Sequence, residues 1–195
     1  MSPMSRSKPP ASKPVTSPEQ GSGRSFAASA ATRPHLALMR DTAEGATDRS
    51  RAGLGLLMLW LCDDIEQRAN ASLAPFGLSE SKFDLLMFFG LAERGLIESQ
   101  AVTPSYIADY FGVTRSTVTG LLDWLEKRDL LRRRLSTEDR RSFALELTEQ
   151  GRELLERSLP VFWGMCESLT SSLDEDECAL LQKVLGKLWV QLKAD

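Results

Sequence analysis

From Ser50 onward the apolar residues follow two rhythms. Leu54, Leu57, Met58, Leu61, Ile65 and Ala69 recur every three to four positions, which predicts a long first helix reaching about Ser72. Leu56, Leu59 and Trp60 add apolar surface off that stripe, so the helix expects more than one packing partner. Later helix starts share one local logic, in which a polar cap accepts orphan N–H groups and its apolar predecessor staples to the first turn. Leu78-Ser79 with Phe83, Val102-Thr103 with Ile107, Val113-Thr114 with Val118, and Leu173-Asp174 with Cys178 all fit it. They predict helices over roughly 80–93, 104–110, 115–128 and 175–192, and a further helix is expected from about Glu149 to Ser171. Between Leu130 and Thr148 the period switches to two: Leu131, Arg133 and Leu135 alternate with Arg132 and Arg134, and Phe143, Leu145 and Leu147 with Ser142, Ala144 and Glu146. That pattern predicts a β-hairpin with a charged tip at 136–141.

Residues 1–48 lack either rhythm. They hold six of the nine prolines, much Ser and Ala, and scattered apolar residues, so they are expected to form a disordered, mildly basic tail. A short helix over 35–40 is permitted there but not demanded. For the whole chain of 195 residues, 42% hydrophobic and 26% charged residues are enough for a folded core.

The formal net charge of −3 argues at first sight against a polyanion partner, but it averages over a strong asymmetry. Residues 112–141 carry eight basic and five acidic residues, whereas the rest of 50–195 carries nine and eighteen. A local basic island, not the net charge, decides whether phosphates are welcome.

Other chemistry is sparse. Cys62, Cys166 and Cys178 are odd in number and far apart, which disfavours a disulfide framework and fits a reducing cytoplasm. The single histidine, His35, lies in the tail, so no metal site is expected and no cofactor is implied. There is neither a glycine-rich phosphate loop nor a nucleophile motif, so an enzyme is not expected. The longest apolar run, Leu54 to Cys62, is too short to span a bilayer, and no signal peptide is visible. The expectation is a soluble, cytoplasmic protein.

The functional signal lies in 107–126. A short helix, a tight turn at Gly112 and a second helix from Thr114 share Ile107, Ala108, Phe111, Val113, Val118, Leu121, Leu122 and Leu125, which predicts a helix-turn-helix. The second helix opens with Arg115, Ser116, Thr117, Thr119 and Gly120, which are small, hydroxylated or cationic. A helix entering the major groove of DNA needs such residues, because bulk holds it off while hydroxyls and guanidinium reach base edges and phosphates. Arg132, Arg133, Arg134, Arg140 and Arg141 then flank a turn able to reach the DNA backbone or the narrow minor groove.

Taken in order, LeuSerGluSerLysPheAspLeuLeu (78–86), ValThrArgSerThrValThrGlyLeuLeuAspTrpLeuGluLys (113–127), LeuLeuArgArg (130–133), AspArgArg (139–141) and LeuThrGluGlnGly (147–151) resemble the successive signatures of the MarR family of winged-helix transcriptional regulators. The resemblance covers residues 54–192. It implies a mainly α fold, α+β in detail: a winged helix-turn-helix with a two-stranded wing at 78–148, within a domain over 50–195, and dimerisation helices at 50–75 and 149–193. It further implies a homodimeric repressor on a pseudo-palindromic operator in double-stranded DNA. Carried over by position, Arg115, Ser116, Thr117 and Thr119 are recognition-helix contacts. Asp139 and Arg141 form the wing-tip pair, and Arg140 and Arg133 are backbone contacts or wing braces. Asp129 stands where the family commonly has Gly, and Asp tolerates the left-handed conformation required there.

The apolar stripes Leu154, Leu155, Leu159, Phe162, Met165 and Leu169, and Leu181, Val184, Leu185, Leu188 and Leu192, exceed what a small winged helix covers, which fits the implied dimer. Many relatives release DNA when a small aromatic or anionic effector enters the crevice between dimer helices and winged helix. Asp84, with Trp60, Phe88 and Arg132 as possible neighbours, resembles part of one subfamily's ligand site, although Gly120 stands near the place of that subfamily's arginine. Asp63 and Asp64 disfavour a thiolate at Cys62. The rival from another class is a winged-helix protein-interaction module whose basic face binds an acidic partner.

Overall fold

The computed structural model describes residues 33–97, 103–135 and 143–194. The chain divides into two compact units, Met1–Leu54 and Gly55–Asp195. In the first, α1 (Arg33–Thr42) is a helix in the stretch the sequence leaves as a disordered tail. Leu36, Ala37, Leu38 and Met39 are good helix formers and Pro34 sits in the first turn, where its missing N–H costs nothing. Leu36 and Met39 also lie against Gly53 of α2 (Arg49–Leu73). Asp48 Oδ1 caps α2, accepting from the N–H groups of Ser50 at 3.0 Å and Arg51 at 3.1 Å.

In the second unit the remainder of α2 is followed by a 3-10 turn at Ala74–Phe76, then α3 (Glu80–Glu93), α4 (Pro104–Phe111) and α5 (Arg115–Lys127). The strands β1 (Leu131–Leu135) and β2 (Phe143–Leu147) form an antiparallel pair, and α6 (Glu149–Thr170) and α7 (Glu175–Ala194) complete the order. This is the expected winged helix-turn-helix with flanking helices. Its core is built on α3, whose Phe83, Leu85, Leu86, Phe88 and Phe89 are buried. They join Ile107 of α4, Val118, Leu122 and Leu125 of α5, Leu131 and Leu147 of the wing, and Leu155 of α6 in one apolar cluster.

Local chemistry sets the helix starts. Thr103, Thr114 and Thr148 each accept a backbone N–H from three residues ahead, and Asp174 and Glu177 form a reciprocal capping box. Ser79 differs: its side chain makes no capping bond, and Asn70 of α2 reaches across instead, its Oδ1 accepting the Glu80 N–H at 2.9 Å. A tertiary contact thus replaces the local one.

The recognition helix, the wing and α6 meet at one joint. Asp129 adopts φ 55, as its position requires, and Leu130 N–H returns to the Leu125 carbonyl. The Leu130 carbonyl then accepts the Thr148 N–H at 3.1 Å, while the Thr148 hydroxyl donates to the Asp129 carbonyl and accepts from Gly151 N–H. A Cβ on Gly151 would collide with the Leu130 carbonyl oxygen, so nothing larger than glycine fits.

The C-terminal stripes divide. Leu155 is buried, and Leu154, Leu159 and Phe162 pack on the winged-helix core, with the Phe162 ring 4.6 Å from that of Phe83. This part of α6 thus packs on the winged-helix core of its own chain. α7 buries no residue, and its Leu180, Val184, Leu185, Trp189, Val190 and Leu192 are 41–73% exposed. Among the described residues, no helix is long and apolar enough to cross a membrane and no group of side chains is arranged to hold a metal ion.

Gly151→Ala is expected to lower the unfolding free energy by about 1–3 kcal/mol through overpacking at the joint. Thr148→Ala should cost about 1 kcal/mol through loss of the cap. Urea denaturation followed by circular dichroism measures both; an unchanged midpoint in Gly151→Ala contradicts the close approach.

Candidate nucleic-acid interface

Helix α5 presents two faces because Val118, Leu122 and Leu125 point into the core. Arg115, Ser116, Thr117, Thr119 and Gly120 are all exposed. Thr114 Oγ1 lies 2.8 Å from both Ser116 Oγ and Thr117 Oγ1 and accepts the Thr117 N–H at 3.2 Å, so three hydroxyls cluster over the helix N-terminus. Thr119 Oγ1 donates back to the Arg115 carbonyl at 2.9 Å, leaving that hydroxyl as an acceptor. The Arg115 guanidinium has no hydrogen-bond or ion-pair partner among the described residues. A Cβ on Gly120 would meet nothing within 4 Å. Glycine costs about 1 kcal/mol relative to alanine inside a helix, and here no internal contact requires it.

The wing arginines do not act alike. Arg132 faces Glu146 across the sheet and pairs with it at 2.7 Å, with Arg134 at 3.9 Å from the other oxygen of the same carboxylate. Arg133 points the other way and donates to Glu126 of α5 at 2.6 Å, with Asp123 at 3.9 Å, so it braces the wing against the recognition helix. Asp139, Arg140 and Arg141 lie outside the described residues.

A second brace was not singled out from the sequence. Trp124 of α5 carries Lys82 of α3 at 4.3 Å and Arg128 at 4.4 Å from its ring centroid. The 124/128 spacing is one helical turn and readable in advance; the Lys82 contact depends on how α3 packs on α5 and is not.

The four ligand-site candidates are not gathered in one place. Asp84 is half-buried and lines a cavity of about 190 Å³ between α3, α4 and α5. Burial, reinforced by the charge of Glu80, raises its pKa to about 6. Phe88 is a core residue, 1% exposed, with its ring against those of Phe89, Tyr106, Tyr110 and Phe111, so it does not present a surface to a ligand. Arg132 is held on the wing by Glu146. Trp60 is half-buried on α2 and, like Phe88 and Arg132, does not line the cavity.

A model of the MarR family matches residues 76–142, from before α3 past β1, the first strand of the wing. The HTH-type transcriptional repressor YetL of Bacillus subtilis (strain 168) is 31% identical over 163 residues, covering 81% of this chain and 95% of that protein. The chain belongs to the MarR family. It is therefore a transcriptional regulator and not an enzyme. Among other MarR-family likenesses, the transcriptional repressor MprA of Escherichia coli (strain K12) is 30% identical over 141 residues, covering 70% of this chain and 77% of that protein. The crystal structure of the S. aureus MepR–DNA complex superposes with a TM-score of 0.60 at 26% identity, covering 70% of this chain and 96% of that one.

Asp84 has a consequence for the stability of this MarR-family fold. An acid whose folded pKa is raised binds its proton more readily when folded, so its stabilising contribution is present below the unfolded value of 3.8 and lost as pH rises through about 6. Asp84→Asn, which stays neutral, should therefore melt higher than the parent at pH 7.5, with the difference shrinking toward pH 4. Thermal scans at both pH values check this, and a difference that grows on acidification contradicts it.

Proposed function

We propose that this MarR-family protein is a cytoplasmic homodimeric repressor that binds a pseudo-palindromic operator and is released by a small-molecule effector. The observation that carries the reading is the first turn of α5, where an unpartnered arginine, a hydroxyl cluster and a bare glycine surface lie together on an exposed face. Arg115 would read a guanine edge or hold a phosphate, Ser116 and Thr117 would contact bases or phosphates beside the helix N-terminus, and Thr119 would accept from a base amino group. Gly120 would let the helix approach closely. Arg133 acts as brace, its guanidinium positioned by Glu126. At the wing tip, Asp139 would orient basic side chains, Arg140 would hold the backbone and Arg141 would enter the minor groove.

The DNA in the MepR complex and the repressor names of YetL and MprA support this reading. So does the surface left over on α7, together with Met58, Leu59 and Leu61 of α2 and Val161 and Trp163 of α6, all exposed. A symmetric partner would cover such apolar area and set two recognition helices about one turn of DNA apart. The dimerisation helices would then be 50–75 and 149–193, flanking a winged helix at 78–148.

Selection from random double-stranded DNA should yield a palindromic site, whereas a protein-interaction module yields none. On that site, Arg115→Ala and Arg141→Ala should each weaken binding by about ten- to a hundredfold, with a shallower salt dependence where a phosphate contact is lost. Sedimentation should show the dimer unchanged. Parental affinity in both variants rejects the assigned contacts.

A further inference from the structure

The cavity behind the recognition helix has a chemistry of its own. Its apolar floor comes from the half-buried Phe111 and Leu121 and the exposed Val113, backed by buried Leu85, and its rim includes the exposed Ser81 and Thr117. Its volume of about 190 Å³ suits one six-membered ring; a cavity of about 150 Å³ is enough to hold benzene. Asp84 is the one charged side chain in the lining, and its carboxyl has no hydrogen bond or ion pair among the described residues. A half-buried carboxylate facing apolar walls without a partner is costly, and a bound cation relieves that cost.

We propose that this cavity is a binding site for a small aromatic amine or amidine, with its ring on the apolar floor and its cationic nitrogen on Asp84. The lining comes only from α3, α4 and α5 and the turn between the last two, so the site lies within the winged helix and not in a crevice beside the dimer helices. The surrounding charge selects against an anion. Glu80 lies on the same helix, close enough to act on Asp84, and Glu66 of α2 acts in turn on Glu80. Neither α4 nor α5 adds a charged side chain to the lining. An aromatic carboxylate or phenolate would meet negative charge with no lysine or arginine to offset it. The effector expected from the sequence as aromatic or anionic is thus narrowed to aromatic and cationic.

Thr117 and Val118 join the cavity to the first turn of α5, so occupancy is expected to change operator affinity. That consequence rests on the DNA-binding reading above. Ligand binding is therefore measured on the full chain without DNA, so that the two fail separately.

Benzylamine, benzyl alcohol and benzoate share a ring and differ in charge, and titration of each by protein-observed NMR tests the site. At pH 7.5 benzylamine should bind saturably and about tenfold or more tighter than benzyl alcohol, as a charge-assisted hydrogen bond implies, with benzoate not binding. The amine's advantage should fall as pH drops through about 6, where Asp84 takes up its proton. Asp84→Asn should bring benzylamine down to the level of benzyl alcohol, and Ser81→Phe, a change at the exposed rim, should block both. Failure of benzylamine to bind, benzoate binding as tightly, an amine preference that survives in Asp84→Asn, or undiminished binding in Ser81→Phe overturns the proposal.

Discussion

The backbone carbonyl of Leu130 is the point on which the geometry of this protein turns. It receives the first N–H of α6 from Thr148 and is covered so closely by Gly151 that no side chain fits between them. One residue earlier, Asp129 reverses the chain out of α5 in a left-handed conformation and offers its own carbonyl to the Thr148 hydroxyl. The recognition helix, both ends of the wing and the start of the long C-terminal helix are therefore tied within four residues on each side. The Thr148 N–H bond and the Gly151 contact are backbone ties that no side-chain rotamer can loosen, and the Thr148 hydroxyl adds a side-chain tie to them. A displacement of α6 must carry the wing and the end of α5 with it.

Electrostatics are distributed over that rigid frame with some economy. Arg132 and Arg134 share Glu146, Arg133 takes Glu126, and Arg152 holds Glu93 of α3 from α6 through paired contacts of 2.9 Å. These pairs are exposed and individually weak, so they orient the arginines without consuming their charge. A phosphate can compete for an arginine so held. Arg115 has no acidic partner among the described residues, and it stands where the small residues leave most room.

The sequence was most legible where structure is local. The three-to-four and two-residue periods located α3 through α7 and both strands, and the alternation put Arg133 on the opposite face from Arg132 and Arg134 without showing that α5 lies on that side. Thr103, Thr114 and Asp174 cap as their spacing implies. What was hidden depends on contacts distant in sequence. Asn70 replaces Ser79 as the cap of α3 from ten residues away, and Lys82 meets Trp124 across more than forty. Phe88 stands one helical turn from Asp84 and so looked like its neighbour in a ligand site, yet α4 brings Tyr106, Tyr110 and Phe111 around it. In the first half of the α6 stripe, periodicity shows that a face is apolar, and only the fold shows that the winged-helix core covers Leu155 and packs on Leu154, Leu159 and Phe162.

The bare face of α7 bears on how the protein holds together in time. Twenty residues of helix are marginal in water on backbone hydrogen bonds alone, and α7 adds no buried residue to them, whereas the cluster around α3 closes within a single chain. The winged helix can thus persist while α7 frays, and α7 gains durable order only as its apolar face is covered. Loss of that cover and local unfolding of the C-terminus become one event. In the homodimer proposed above, the fraction assembled, and with it the exposure of α7 to proteases, would depend on the protein's own concentration.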